Sequence, residues 1–213
     1  MTVRFVFVGE GSSDEALMEH IEELCLRAGA DEVAGVAPDL RRHSRKSSTV
    51  PEKIDHALQL EPDTDLVFAH RDADDENPAP RRKEVHAAFQ AVGVERPRVA
   101  VVPVQETEAW LLLDEDAIRF VAENPDGNVQ LDLPTPARVE SVANPKEILQ
   151  ETLISASELS GRRLKRFKRR FPQQRRRLIE RLDLDGPVSQ VPAWKQLCKD
   201  IEQALENYSQ DSE

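Results

Sequence analysis

Three short stretches of the chain concentrate carboxylates: "GEGSSD" (residues 9–14), "RDADDE" (71–76) and "QETEAW" (105–110). They offer Glu10 and Asp14, then Asp72, Asp74, Asp75 and Glu76, then Glu106 and Glu108. Two bare carboxylates about 4 Å apart repel by roughly 4 kcal/mol at an effective dielectric near 20. Such groups must therefore be spread apart, share protons or bind cations. Oxygen-only donors favour a hard cation, Mg²⁺ or Mn²⁺, over zinc, and no Cys or His pair competes for the role. His70, alone before the second stretch, reads as a strand-end residue. Mg²⁺ typically takes one or two carboxylates and leaves its other positions to water and substrate phosphate. Gly9 and Gly11 on either side of Glu10 allow a tight turn and close backbone approach to a ligand. Taken singly, each stretch could equally cap a helix or fill its first turn. Their common position relative to the strands is what turns the reading toward a metal.

Each stretch directly follows an apolar run. "VRFVFVG" (3–9), "TDLVFAH" (64–70) and "RVAVVPV" (98–104) read as buried strands, and "EVAGVA" (32–37) as a weaker one. Between them lie helical patterns. The first, with Ser12 or Ser13 as N-cap, carries Leu17, Ile21, Leu24 and Cys25 on one face. The second starts at Pro51, with Ile54, Ala57 and Leu58 inward. The third covers 80–93, and the fourth 106–124 with a break near Asp114. The expected fold is α/β, a mostly parallel four-stranded sheet with helices on both faces, over residues 1–124. In such sheets the loops after the carboxyl ends of the strands converge at one edge, where ligands bind. A turn-rich stretch at 125–136 marks a boundary. Residues 125–213 then form a C-terminal helical region with segments from Pro145, at 161–182 and at 194–207, and a frayed tail. No internal repeat is visible.

The chain has 213 residues, a formal charge of −11 and two cysteines, Cys25 and Cys198. The charge argues against coating nucleic acid with the whole surface, but not against a local basic face. The cysteines have no metal-ligand spacing, and two buried thiols in a reducing cytoplasm are expected. The first apolar run is too short for a signal peptide, and nothing reaches the length of a membrane span. A soluble cytoplasmic protein without a membrane partner is expected.

The combination of Glu10 after the first strand with Asp72-x-Asp74 after the third resembles the signature of TOPRIM domains. The longer string "VGEGSSDE", "HRDADDE", "PVQETEAWLL" and "NPKEIL" resembles a bacterial family of small TOPRIM-like proteins of unassigned function, similar to the nuclease half of the overcoming-lysogenization-defect nucleases. It covers about the first 150 residues, with an echo in "VPAWKQL" (191–197). The resemblance implies that Glu10 acts as general acid/base or metal ligand and that Asp72 and Asp74 hold Mg²⁺ or Mn²⁺. Glu108, with Glu106, would support a second metal position, and Asp14 would lie beside the metals. The lysine that many such nucleases place after the fourth strand has no match here; Lys83 or Arg71 could take its place. A topoisomerase would need a nucleophilic tyrosine in a substantial partner domain, but the one tyrosine is Tyr208, in the tail. Metal-dependent hydrolysis of nucleic acid, DNA or RNA, is the function implied. A separate ATPase subunit in a phage-defence system is the implied partner, and a homo-oligomer is compatible with it.

The stretch "GRRLKRFKRRFPQQRRRLIERL" (161–182) holds eleven Lys and Arg against one Glu. Arg162, Arg163, Lys165, Arg166, Lys168, Arg169, Arg170, Arg175, Arg176 and Arg177 are the candidates for gripping a phosphate backbone. Leu164, Phe167 and Phe171 would anchor the helix, and Pro172 would start the next one. The competing reading is internal neutralisation, with these cations paired to the acidic core. Arg41, Arg42, Arg45 and Lys46 form a smaller basic loop with the same ambiguity. Trp110 and Trp194 read as core residues. Two other functions stay open: a non-catalytic regulator on the same scaffold, and a phosphoacceptor receiver. The receiver lacks both its acidic pair after the first strand and its lysine after the last.

Overall fold

Alternating β-rich runs and amphipathic helices produce a parallel sheet here, as the pattern predicts. The computed structural model describes residues 1–40 and 49–211; the basic loop Arg41, Arg42, Arg45 and Lys46 lies outside them. Four strands, β1 (Thr2–Val8), β2 (Glu32–Val36), β3 (Leu66–His70) and β4 (Arg98–Val101), form an all-parallel sheet in the order β2-β1-β3-β4. Helices flank it: α1 (Leu17–Arg27), α2 (Val50–Leu60) and α3 (Ala79–Val92). The chain divides into two compact units.

The first unit comprises Met1–Arg71, Ala79–Val102 and Gln196–Glu213. All five residues of β3 are buried, as a central parallel strand with both faces covered requires. β2, at the sheet edge, is only half-buried. Its Gly35 has a packing reason: a Cβ there would run into the ring of Phe5, which sits edge-on to Phe68 at 4.9 Å between centroids. α1 buries Leu17, Ile21, Leu24 and Cys25. Ser13 does not cap it, because a short 3₁₀ turn, Asp14–Ala16, precedes α1 and Ser13 already has helical dihedrals. α2 starts on a reciprocal cap in which Thr49 Oγ1 accepts from the Glu52 N–H and the Glu52 carboxylate accepts from the Thr49 N–H. Cys25 is buried, and burial pushes its thiol up to about 12. Cys198 is only half-buried, so the expectation of two buried thiols holds for one of them.

The second unit comprises Asp72–Pro78 and Pro103–Lys195, so the 125–136 loop lies inside it rather than at a boundary. Its helices are α4 (Glu108–Leu111), α5 (Glu115–Val121), α6 (Pro145–Ser157), α7 (Gly161–Lys168) and α8 (Phe171–Ile179). The break near Asp114 exists because Asp114 caps α5, its carboxylate accepting the Ala117 N–H at 2.9 Å. Trp110 and Trp194 are fully buried and meet edge-to-face at 4.9 Å. The last helix, α9 (Pro192–Asp211), reaches into the tail expected to fray. Among the described residues, no helix is long and apolar enough to cross a membrane.

Candidate functional site: the acidic loops and the basic helices

At the carboxyl end of β1 the "GEGSSD" turn is organised by its own aspartate. Asp14 is buried and accepts the Gly11 N–H at 3.1 Å, and its Oδ2 stands 3.5 Å from Nδ1 of the buried His70. Lys53, from α2, donates to the carbonyls of Gly9 and Glu10 at 3.2 and 3.1 Å. Glu10 itself is left on the surface, with Arg71 Nε 2.5 Å from its Oε1. Arg71 also approaches Glu84, which Arg81 holds at 2.6 Å. Of the two cations considered for the missing lysine, Arg71 is thus the one beside a candidate carboxylate. Lys53 gave no signal in the sequence, because its helix lies more than forty residues downstream of the turn it clamps.

The loop after β3 is ordered from a different direction. Thr107 donates both its backbone N–H and its hydroxyl to Asp72 Oδ1, each at 2.9 Å. The Asp74 N–H bonds to the Gln105 carbonyl and the Gln105 N–H to the Asp75 carbonyl, at 2.8 and 3.1 Å. Asp74 and Gln105 both have left-handed backbone, φ 55° and 59°, which costs a non-glycine residue of order 1–3 kcal/mol. Strain of that kind persists where surrounding bonds fix the loop; Asp74, Asp75 and Glu76 are exposed on it.

The third motif has structural partners. Glu106 Oε2 accepts the Lys146 N–H at 3.0 Å, supplying the first turn of α6 with the acceptor that its own N-cap, Asn144, does not provide. Glu108 is buried and accepts from Arg175 Nε at 2.8 Å. The two carboxylates expected to support a second metal are therefore a helix cap and half of a buried ion pair. Among the described residues, no three His, Cys, Asp or Glu side chains gather closely enough to hold a metal ion. A ready-made side-chain cage does not fit these residues. The oxygen donors of Asp72 and Asp74 suit only a cation that takes one or two carboxylates and completes its shell with water and phosphate.

Arg175 is thus not on a nucleic-acid face; it is core. Arg170 pairs with Glu123 at 3.0 Å, Arg176 with Glu180 at 2.8 Å, and Arg177 lies 5.8 Å from the Phe120 ring centroid. Arg162, Arg163, Lys165, Arg166, Lys168 and Arg169 are exposed and make no ion pair among the described residues. Internal neutralisation accounts for three of the ten candidate cations, and six remain available to an external anion. Phe167 and Phe171 are buried and Leu164 half-buried, so the aromatic side anchors α7 and α8 as expected.

The sheet and its acidic loops define an α/β protein with its charged residues at strand ends. Residues 9–202 match the family described as "Domain of unknown function (DUF4276)", and the chain belongs to that family. No curated protein and no solved structure matches the chain.

Proposed function

We propose that this protein hydrolyses phosphodiester bonds of nucleic acid with Mg²⁺ or Mn²⁺. The observation that carries the reading is the running-out of the paired parallel strands β1 and β3 into acidic turns. Glu10 follows β1 by two residues, and Asp72 and Asp74 follow β3 by two and four. Thr107 fixes the orientation of the Asp72 carboxylate. The strained Asp74 turn presents its carboxylate outward. Lys53 and the Asp14–Gly11 bond hold the turn that carries Glu10, and Arg71 sits beside the Glu10 carboxylate. A cation bound with the substrate would supply charge neutralisation at the phosphate and polarise a water. Glu10 would take or return a proton during that step. The six cations of 162–169 that make no ion pair among the described residues would hold the polyanion by charge. The resemblance to TOPRIM-like nucleases supports the same reading and suggests a separate ATPase as partner.

The test is cleavage of labelled DNA and RNA with Mn²⁺ by the wild type, Glu10→Gln and Asp72→Asn. Both variants keep a hydrogen-bonding side chain of the same size, so the loops are retained. Each should lose activity by on the order of 10²–10⁴-fold, the usual worth of a positioned acid–base or charge group. Equal cleavage by all three proteins would sink the assignment. One observation favours a second reading, a non-catalytic regulatory or partner-binding protein: no three-ligand group is gathered among the described residues. Wild-type protein that binds oligonucleotide but neither cleaves it nor binds either metal would favour that reading instead.

A further inference from the structure

Phe120, near the end of α5, stands 42% exposed, and it is the aromatic one among the exposed large hydrophobics Leu26, Phe120 and Val129 of the described residues. An isolated surface phenylalanine needs no explanation, but this one lies inside a basic environment built by the end of α8. The Arg181 guanidinium carbon sits 3.8 Å from its ring centroid, and that of Arg177 5.8 Å away. Arg170 reaches Glu123, three residues beyond Phe120, which ties the start of α8 to the same corner. The acidic residues of that corner are mostly occupied: Glu115 holds Arg119 at 2.7 Å and Glu123 holds Arg170. Asp116, one turn before Phe120, is the charge a phosphate would avoid, which directs a strand toward the Arg177 and Arg181 side.

We infer that Phe120, backed by Arg181 and flanked by Arg177, is a base-stacking platform for single-stranded nucleic acid. The inference rests on nucleic acid being the partner of the basic segment. The guanidinium over the ring is attracted to it and steadies it, and single-strand grooves combine such arginine–aromatic contacts with stacked bases. Base–aromatic stacking is sequence-tolerant, because every base has a π-face, and it needs a base that is not already stacked in a duplex. The unpaired cations of α7 would track the backbone, and Phe120 would select for single strands. Phe120 and Arg181 thereby join the interface, and neither stood out in the sequence: the phenylalanine belongs to an ordinary helix, and the arginine falls past the end of α8.

The experiment is fluorescence anisotropy in EDTA, with a short labelled oligothymidine and a labelled duplex of matched length. The proteins are the wild type, Phe120→Ala, Phe120→Trp and the double variant Arg162→Ala/Lys165→Ala. Phe120→Ala should weaken single-strand binding about tenfold, within the range for loss of one stacked base, and leave duplex binding unchanged. Phe120→Trp should retain the affinity, and its indole emission should be quenched by the oligothymidine, while Trp110 and Trp194 contribute a constant buried background. The double variant should weaken both probes alike. Single-strand affinity unchanged in Phe120→Ala, an equal loss on both probes, or no binding of either probe by the wild type would overturn the inference. No turnover occurs in EDTA, so a protein that stacks single strands on Phe120 yet never cleaves them would refute the hydrolysis reading and leave this one standing.

Discussion

Two arginine–carboxylate pairs take their carboxylates from the segments after β1 and β4, and they behave as different objects. Glu108 and Arg175 have side chains 3% and 8% exposed, whereas Glu10 and Arg71 are 36% and 27% exposed. A buried pair has surrendered its hydration, so each partner needs the other, and neither is free to bind anything else. A half-exposed pair is worth little and can exchange partners with water or a ligand. Two motifs of equal appearance in the sequence thus part company: "QETEAW" is a structural clamp, and "GEGSSD" carries an exchangeable carboxylate. The proposed phosphate chemistry would rest on the exchangeable one.

The largest effect expected from this contrast is on stability. Arg175→Ala should destabilise the protein by about 3–5 kcal/mol, because it strands the Glu108 carboxylate in the core. Glu108→Leu combined with Arg175→Met should recover most of that loss, since replacing a buried pair with apolar side chains of similar volume is often neutral or better. Urea unfolding of the single and double variants measures both. A single Arg175→Ala variant as stable as the wild type would show that the pair is not the clamp described, and Glu108 would return as a candidate ligand.

A smaller effect is expected at Thr107, which separates the two halves of its bond to Asp72. Thr107→Val keeps the backbone donor and loses the hydroxyl donor, at a cost of about 1.5–3 kcal/mol for a hydrogen bond to a charged group. Thr107→Ser should restore it. If the Asp72 carboxylate is held for chemistry, Thr107→Val should also lower any cleavage rate by more than the Thr107→Ser control does. Equal rates in the two variants would reduce Thr107 to a loop staple.

What could be read in advance follows from how local each cause is. The strands, the Asp114 break and the inward faces of α1 and α2 are fixed by neighbouring residues, and they emerge from periodicity and capping chemistry. Trp110 and Trp194 were legible as core from their apolar flanks, though not as partners of one another. The fates of Glu106 and Glu108 were not legible, because their partners lie far along the chain; Arg175 is 67 residues from Glu108. The basic segment misled for the same reason: a run of arginines does not announce which one turns inward. Arg175 is the one, directly after the buried Gln174 and a few positions from Phe171, on the face of α8 that packs. The left-handed Asp74 and Gln105 were hidden as well, since aspartate announces that conformation far more weakly than glycine and glutamine not at all.

The smallest stability effect is also the sharpest test of the comparison. Arg71→Ala removes the partner of Glu10, and a pair this exposed should cost less than about 1 kcal/mol. A urea midpoint close to that of the wild type is therefore expected, in contrast to Arg175→Ala. The functional consequence need not be small. Without the arginine the Glu10 carboxylate loses its compensating charge and faces solvent alone, so an added divalent cation becomes a better partner for it. Mn²⁺ affinity by calorimetry should then rise in Arg71→Ala, and the gain should vanish when Glu10→Gln is added. If Arg71→Ala instead destabilises as strongly as Arg175→Ala, the half-exposed pair is a clamp like the buried one, and Glu10 loses its claim to be the exchangeable carboxylate.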